Sequence, residues 1–124
     1  MPGWTADELS KIGRADELGI SSYRPDGSLR PFVTIWVVRA GDDLYIRSAY
    51  GRENGWFRRA LAAGSGRVRA GGVERDVDFE EPDRSVDDAV TAAFHSKYDR
   101  YGPNIVGGVV SAESARATLR LVAK

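Results

Sequence analysis

The sequence predicts an α+β domain built on an antiparallel sheet of about six strands, closed into a small barrel with about three helices on its flanks. Three observations point there. Short segments rich in β-branched and aromatic residues recur along the chain. Turn-forming residues separate them: Arg24-Pro25-Asp26-Gly27, Gly41-Asp42-Asp43 and Gly71-Gly72. The segments follow one another in hairpin-like order, which favours antiparallel pairing, and closure into a barrel removes unpaired edges.

The elements follow in order. Thr5-Ala6-Asp7-Glu8 has the form of a capping box, with Trp4 and Leu9 placed as a hydrophobic staple, so a first helix is expected from Ala6 to about Gly13. Leu18 to Tyr23 reads as the first strand, ending at the Pro-Asp-Gly turn. Phe32 to Arg39 is a nearly unbroken apolar run, the mark of a strand buried on both faces. Leu44 to Ser48 follows after a tight turn, Leu44 and Ile46 alternating with Tyr45 and Arg47, and a hairpin with the preceding strand is expected.

Beyond a polar, glycine-bearing loop, Asn54 is placed to cap a helix through Trp56, Phe57, Ala60 and Leu61, ending at Gly64. Arg67 to Ala70 and Val73 to Phe79 read as two strands, the second setting Val73, Arg75, Val77 and Phe79 against Glu74, Asp76 and Asp78. Ser85 is expected to cap the third helix. Its apolar stripe runs through Val86, Ala89, Val90, Ala93, Phe94, Tyr98 and Tyr101, and Gly102-Pro103 stops it. Asn104 to Val110 fits strand or loop equally. Ser111 is placed to cap one helical turn, and Thr118 to Val122 is the closing strand.

Composition bounds the function. With 124 residues, 42% of them hydrophobic and 29% charged, the chain fits one domain spanning residues 1–124. There is no cysteine, so disulfides and thiolate chemistry are excluded, and the lone His95 argues against a multi-histidine metal site or a Ser-His-Asp triad. The start, Met1-Pro2-Gly3-Trp4, lacks the pattern of a signal peptide, and no stretch reaches the length of a membrane span. A cytoplasmic protein that binds neither membrane nor nucleic acid is expected. Its 18 basic and 18 acidic residues cancel, which leaves no excess charge to neutralise a phosphate backbone.

That balance hides an asymmetry. Between Leu44 and Gly72 stand Arg47, Arg52, Arg58, Arg59, Arg67 and Arg69 against Glu53 alone, whereas eight acids lie between Glu74 and Asp88. A basic strand end, a glycine-bearing loop and a helix start in succession can hold an anion, because guanidinium forks and backbone N–H groups both favour phosphate. The competing reading is that these arginines pair with the acidic segment after Gly72. Elsewhere the residues are plainer. Lys97, Tyr98 and Tyr101 fit a core or interface stripe, the alternating acids of Val73 to Phe79 fit a solvated face, and Trp36 sits inside the apolar strand.

Several stretches together resemble a known bacterial family: Ile35-Trp36-Val37-Val38, Asp43 to Ser48, Tyr50-Gly51, Trp56-Phe57-Arg58, Arg69 to Val73 and Lys97-Tyr98. The family is domain of unknown function 2255, grouped with the FMN-binding split barrels beside pyridoxamine-phosphate oxidases and deazaflavin-dependent nitroreductases. The resemblance implies a six-stranded split barrel, a homodimer, and FMN or the deazaflavin F420 in a groove between two chains. It implies that Arg47 and Ser48, with Arg52, Arg58 and Arg59, hold the cofactor's phosphate, and that Trp36 and Tyr50 line the ring site. One position departs from the pattern: Gly55 stands where the family often carries a basic residue. The activity implied is hydride transfer to a small substrate. The alternative is a split barrel without cofactor that binds a small ligand or a partner and does no chemistry.

Overall fold

The computed structural model describes residues 3–124; Met1 and Pro2, part of the stretch read for a leader, lie outside it. Seven strands form one sheet in the order β2-β1-β5-β6-β7-β4-β3, with every neighbouring pair antiparallel. They are β1 (Leu18–Ser22), β2 (Val33–Ile35), β3 (Val38–Ala40), β4 (Asp43–Arg47), β5 (Ser65–Ala70), β6 (Val73–Glu80) and β7 (Thr118–Ala123). Five α-helices accompany them: α1 (Ala6–Arg14), α2 (Gly55–Ala63), α3 (Asp87–Tyr98), α4 (Pro103–Val110) and α5 (Ala112–Ala115). No helix among the described residues is long and apolar enough to cross a membrane.

The strand count corrects the expectation of six. The apolar run Phe32 to Arg39 is two strands, not one, and they occupy opposite ends of the sheet order. Ile20 and Leu18 of β1 pair with Val33 and Ile35 of β2, while Val38 of β3 pairs with Tyr45 of β4. Only Trp36 and Val37 separate the two strands, so the sheet's ends lie within about 11 Å of each other, the reach of three residue steps. The sheet is therefore curled into a barrel with its seam at Trp36-Val37.

Two groups from α3, the buried Tyr98 and the half-buried Lys97, hold that seam. The Tyr98 hydroxyl accepts from the Val37 N–H (3.3 Å) and lies 2.7 Å from the Asp16 carbonyl and 3.1 Å from that of Val37. Lys97 Nζ donates to the Val37 carbonyl at 2.7 Å. The backbone groups that leave the ladder at the bend thus find side-chain partners, as buried polar groups require.

Alternation along β4 sorts the core. Leu44 and Ile46 face the barrel interior with Leu18, Phe57, Val68, Val77, Leu119 and Leu121. Tyr45 faces the other way and packs with Val38, Val90, Phe94, Tyr98, Val106 and Val109 under α3 and α4. Both faces of β4 are buried, which is what an apolar strand between two packed layers demands.

The caps follow their chemistry. Thr5 and Glu8 make both bonds of the capping box, at 3.0 and 3.1 Å, and Trp4 packs onto the core with Nε1 donating to the Leu121 carbonyl at 2.9 Å. Asn54 caps α2, and Gly64 ends it with a φ of +73°. Asp83, not Ser85, is the capping residue ahead of α3: its carboxylate accepts from the Ser85 N–H, and a 3₁₀ turn (Arg84–Val86) leads into the helix. Ala89 and Tyr101, expected on the buried stripe, are exposed. The stretch left open between strand and loop is helix α4. Pro103 presets its first turn, and buried Val106 and Val109 hold it on the outer core despite Gly107 and Gly108. Ser111 caps the short α5 as expected.

Candidate functional site

The seam opens beside a groove of about 660 Å³ between the free edge of β2, the loop after β4 and helix α4. Trp36, Tyr50 and Trp56 supply its aromatic walls, and Asn54 and Asn104 its side-chain amides. Trp36 is half-buried, not the core residue its apolar run suggests. Its ring stacks on Tyr98 at 3.9 Å between centroids and 2° between planes, with Tyr101 at 5.7 Å. Strand β2 pairs on one side only, and its residues Val33, Thr34 and Ile35 border the groove. Tyr50 is 79% exposed and Ile105 59% exposed, both at the rim.

Arg47 reaches the groove wall but spends its hydrogen bonds inside the chain. It shares its strand parity with Tyr45 and so points under α3 and α4, where it is 3% exposed. Nε donates to Thr118 Oγ1 (2.9 Å), Nη1 to Thr91 Oγ1 (2.7 Å) and to the Val109 carbonyl (3.0 Å), and Nη2 to the Asp87 carbonyl (3.0 Å). The Phe94 ring lies 5.6 Å from the guanidinium carbon. Burial pulls the pKa of Arg47 down, and the charge of Asp87 opposes that shift. Four of its five N–H groups are thereby used to tie β4 to β7, α3 and α4.

The other sequence-predicted residues scatter. Ser48 follows Ile46 in parity, is fully buried, and its Oγ has no hydrogen-bond partner; it does not line the groove. Arg52 pairs with Glu81 and donates to the Arg116 carbonyl at 2.8 Å, and the Glu81 contact raises its pKa. Arg67 likewise pairs with Asp76 (2.9 Å) and Glu74 (3.3 Å) across the β5–β6 hairpin. For these two the pairing with the acidic segment holds. Arg58 and Arg59 line a different cavity, on the other side of Trp56, together with Arg24 and Arg30. Structure thus brings Trp36 and Tyr50 together with Arg47 and separates them from Ser48, Arg52, Arg58 and Arg59.

Sequence reasoning missed Trp56, Asn54 and the α4 residues as groove walls. Trp56 stands two residues after the Asn54 cap, so its place beside the loop was open to inference. The α4 contribution was not, because the segment's type was itself ambiguous.

Three solved structures share the fold. A Listeria innocua protein assigned as a pyridoxamine 5′-phosphate oxidase aligns with a TM-score of 0.57 at 15% identity, covering 94% of this chain and 88% of that one. An FAD-binding protein from Mesorhizobium loti gives 0.54 at 18% identity, covering 98% and 91%. An FAD- and haem-binding protein from Mycobacterium smegmatis gives 0.51 at 18% identity, covering 95% of this chain and 65% of that one. At these identities the likeness establishes the split-barrel fold. No curated protein matches the chain. The model of a family described as uncharacterised protein conserved in bacteria matches residues 8–121, and the chain therefore belongs to that family, domain of unknown function 2255.

Proposed function

We propose that the 124 residues act as one split-barrel domain that holds a flavin-type ring, of the FMN or F420 class, in the groove beside Trp36, as an oxidoreductase-like protein acting on a small substrate. The observation that carries this reading is the pairing of aromatic walls with a free strand edge. Trp36, Tyr50 and Trp56 offer flat apolar faces, and the unpaired edge of β2 offers backbone donors and acceptors to the polar rim of a heterocycle. A groove of about 660 Å³ is of the size that cofactor sites have. A flavin or deazaflavin bound there supplies hydride transfer.

The chain's own residues have simpler tasks. Tyr98 fixes the plane of Trp36 from behind, and Tyr98 is fixed in turn by Val37 and Asp16. Asn54 and Asn104 present amides to the ligand's polar atoms. Arg47 holds the wall by tying α4 to β4, and its bonds leave it little with which to grip a phosphate. The exposed apolar rim at Tyr50 and Ile105 suits a second copy of the chain, which would complete the groove as a homodimer and exclude water. Fold likeness alone does not decide chemistry, so the site must.

The test is a fluorescence titration of the purified chain with FMN, FAD and F420, with mass spectrometry of any copurifying small molecule. Saturable quenching is expected, weakened about tenfold by Trp36→Ala through lost stacking. Flat titrations with all three overturn the reading. The commitment of Arg47 to its own chain favours a second reading, a cofactor-free barrel that binds another small ligand in the same groove. Flat titrations together with a non-flavin copurifying molecule select it.

A further inference from the structure

We propose that Lys97 is a modification site, whose side-chain amine takes an acyl group from a small activated donor of the acyl-phosphate class. The chain has three lysines, Lys11, Lys97 and Lys124. Lys11 and Lys124 stand in ion pairs, with Asp7 at 3.0 Å and Asp78 at 3.5 Å, and their side chains are 47% and 46% exposed. Lys97 is half-buried at the seam and forms no ion pair among the described residues. Its Nζ donates instead to a neutral acceptor, the Val37 carbonyl, at 2.7 Å. Lys97 does not line the groove, so the inference does not rest on the flavin reading.

An amine attacks an acyl carbon only after it loses its proton, and a carboxylate partner holds that proton in place. A carbonyl partner does not: a neutral amine still donates one N–H to Val37 and keeps its lone pair free. The neighbours of Lys97 fit this reading. Tyr98 follows it on α3, its ring centre 5.1 Å from Nζ. Of the two carboxylates nearby, Asp16 is engaged by Arg100 and by the Tyr101 hydroxyl, and Asp99 by His95 at 2.8 Å. Strand β3 brings Arg39, whose guanidinium is turned to the Gly41 carbonyl and Asp42. Burial favours the neutral amine, Asp16 opposes that and Arg100 adds to it, so the pKa falls from 10.5 to about 8. A desolvated lysine beside another cation is the arrangement that activates an amine as a nucleophile.

The step balances without oxidant or reductant. Neutral Nζ forms a C–N bond to the acyl carbon, and the bond from that carbon to the phosphate oxygen breaks. Phosphate leaves with the electron pair and takes up the proton that the amine releases. The product amide keeps one N–H for the Val37 carbonyl, so the seam retains a donor there while the buried charge is lost.

Incubation of the full chain with acetyl phosphate, with peptide mass spectrometry resolving the three lysines, tests it. At neutral pH Lys97 is expected to be acetylated about tenfold faster than Lys11 or Lys124. Its rate should level off above about pH 8. Asp16→Asn removes the charge that opposes proton loss, and should speed Lys97 about threefold at neutral pH while leaving Lys11 unchanged. A melting curve close to that of the natural chain will show that this variant folds; if it does not fold, the rates within the natural chain decide alone. Three results would each overturn the proposal: Lys97 reacting no faster than the other two lysines, a Lys97 rate that keeps climbing to about pH 10, or a folded Asp16→Asn chain that reacts at Lys97 no faster than the natural one. A flat FMN titration removes the flavin reading and leaves each of these outcomes as it is.

Discussion

Arg47 and the Arg58-Arg59 pair come from the same basic stretch and end in opposite situations. Arg47 is 3% exposed and donates four hydrogen bonds to its own chain. Arg58 and Arg59 are exposed, lack ion pairs among the described residues, and border an open cavity. The difference is strand parity and layer. Arg47 shares the face of Tyr45 and is roofed by α3 and α4, while the α2 arginines stand on a helix whose other face, Trp56, Phe57 and Ala60, is in the core. Burial makes an arginine a structural clamp; exposure beside unpaired neighbours leaves it available to a ligand.

The largest expected effect breaks the clamp. Arg47→Met keeps much of the side-chain volume but deprives the Val109 and Asp87 carbonyls and two threonine hydroxyls of their donor. A loss of about 2–4 kcal/mol in urea unfolding is expected. Arg58→Ala, by contrast, should change stability by less than about 0.5 kcal/mol. Comparable losses for the two would erase the distinction. At temperatures where Arg47→Met remains folded, flavin affinity should be close to that of the natural chain, because Arg47 shapes the wall more than it touches the ligand.

A second, smaller effect sharpens the role of the seam. Tyr98→Phe removes the hydroxyl that accepts from Val37 N–H and contacts the Asp16 carbonyl. About 1–3 kcal/mol should be lost, and hydrogen exchange at the Val37 amide should quicken more than at Val68 in the middle of the sheet. Uniform quickening would assign Tyr98 to packing alone.

The caps, the hairpin turns and the period of β6 were legible because each rests on neighbours in sequence: Thr5 with Glu8, Gly71 with Gly72, Val77 with Phe79. What was not legible depends on contacts far along the chain. Nothing within Phe32 to Arg39 announces a break, since Val37 leaves the ladder only because Lys97 and Tyr98, about sixty positions on, satisfy its backbone. Helix α4 has two glycines and four β-branched residues in eight, so its local preference opposes its structure and the outer core decides. The basic stretch was visible as composition, but which arginine is buried follows from the roof over β4. Trp36 and Tyr50 line one groove, whereas Ser48 is enclosed and Arg52 is paired with Glu81.

Lys97 lies between the two arginine cases and gives the finest test. It is partly buried and donates to the Val37 carbonyl at 2.7 Å, with its ammonium 5.1 Å from the Tyr98 ring centre. Burial lowers its pKa from 10.5 to about 8; Asp16 opposes the shift and Arg100 adds to it. Between those two values the unfolded chain binds a proton that the folded chain has released, so this residue makes stability rise with pH across that window. Below about 8 the cost of burying the charged amine is fully present. Lys97→Met removes the titration. The stability of the natural chain relative to this variant should therefore increase from pH 8 to pH 10.5, read as the difference between their urea midpoints. A difference that is flat with pH would mean that the Lys97 ammonium reaches water at the seam, and that among Arg47, Arg58, Arg59 and Lys97 only Arg47 is held as a buried charge.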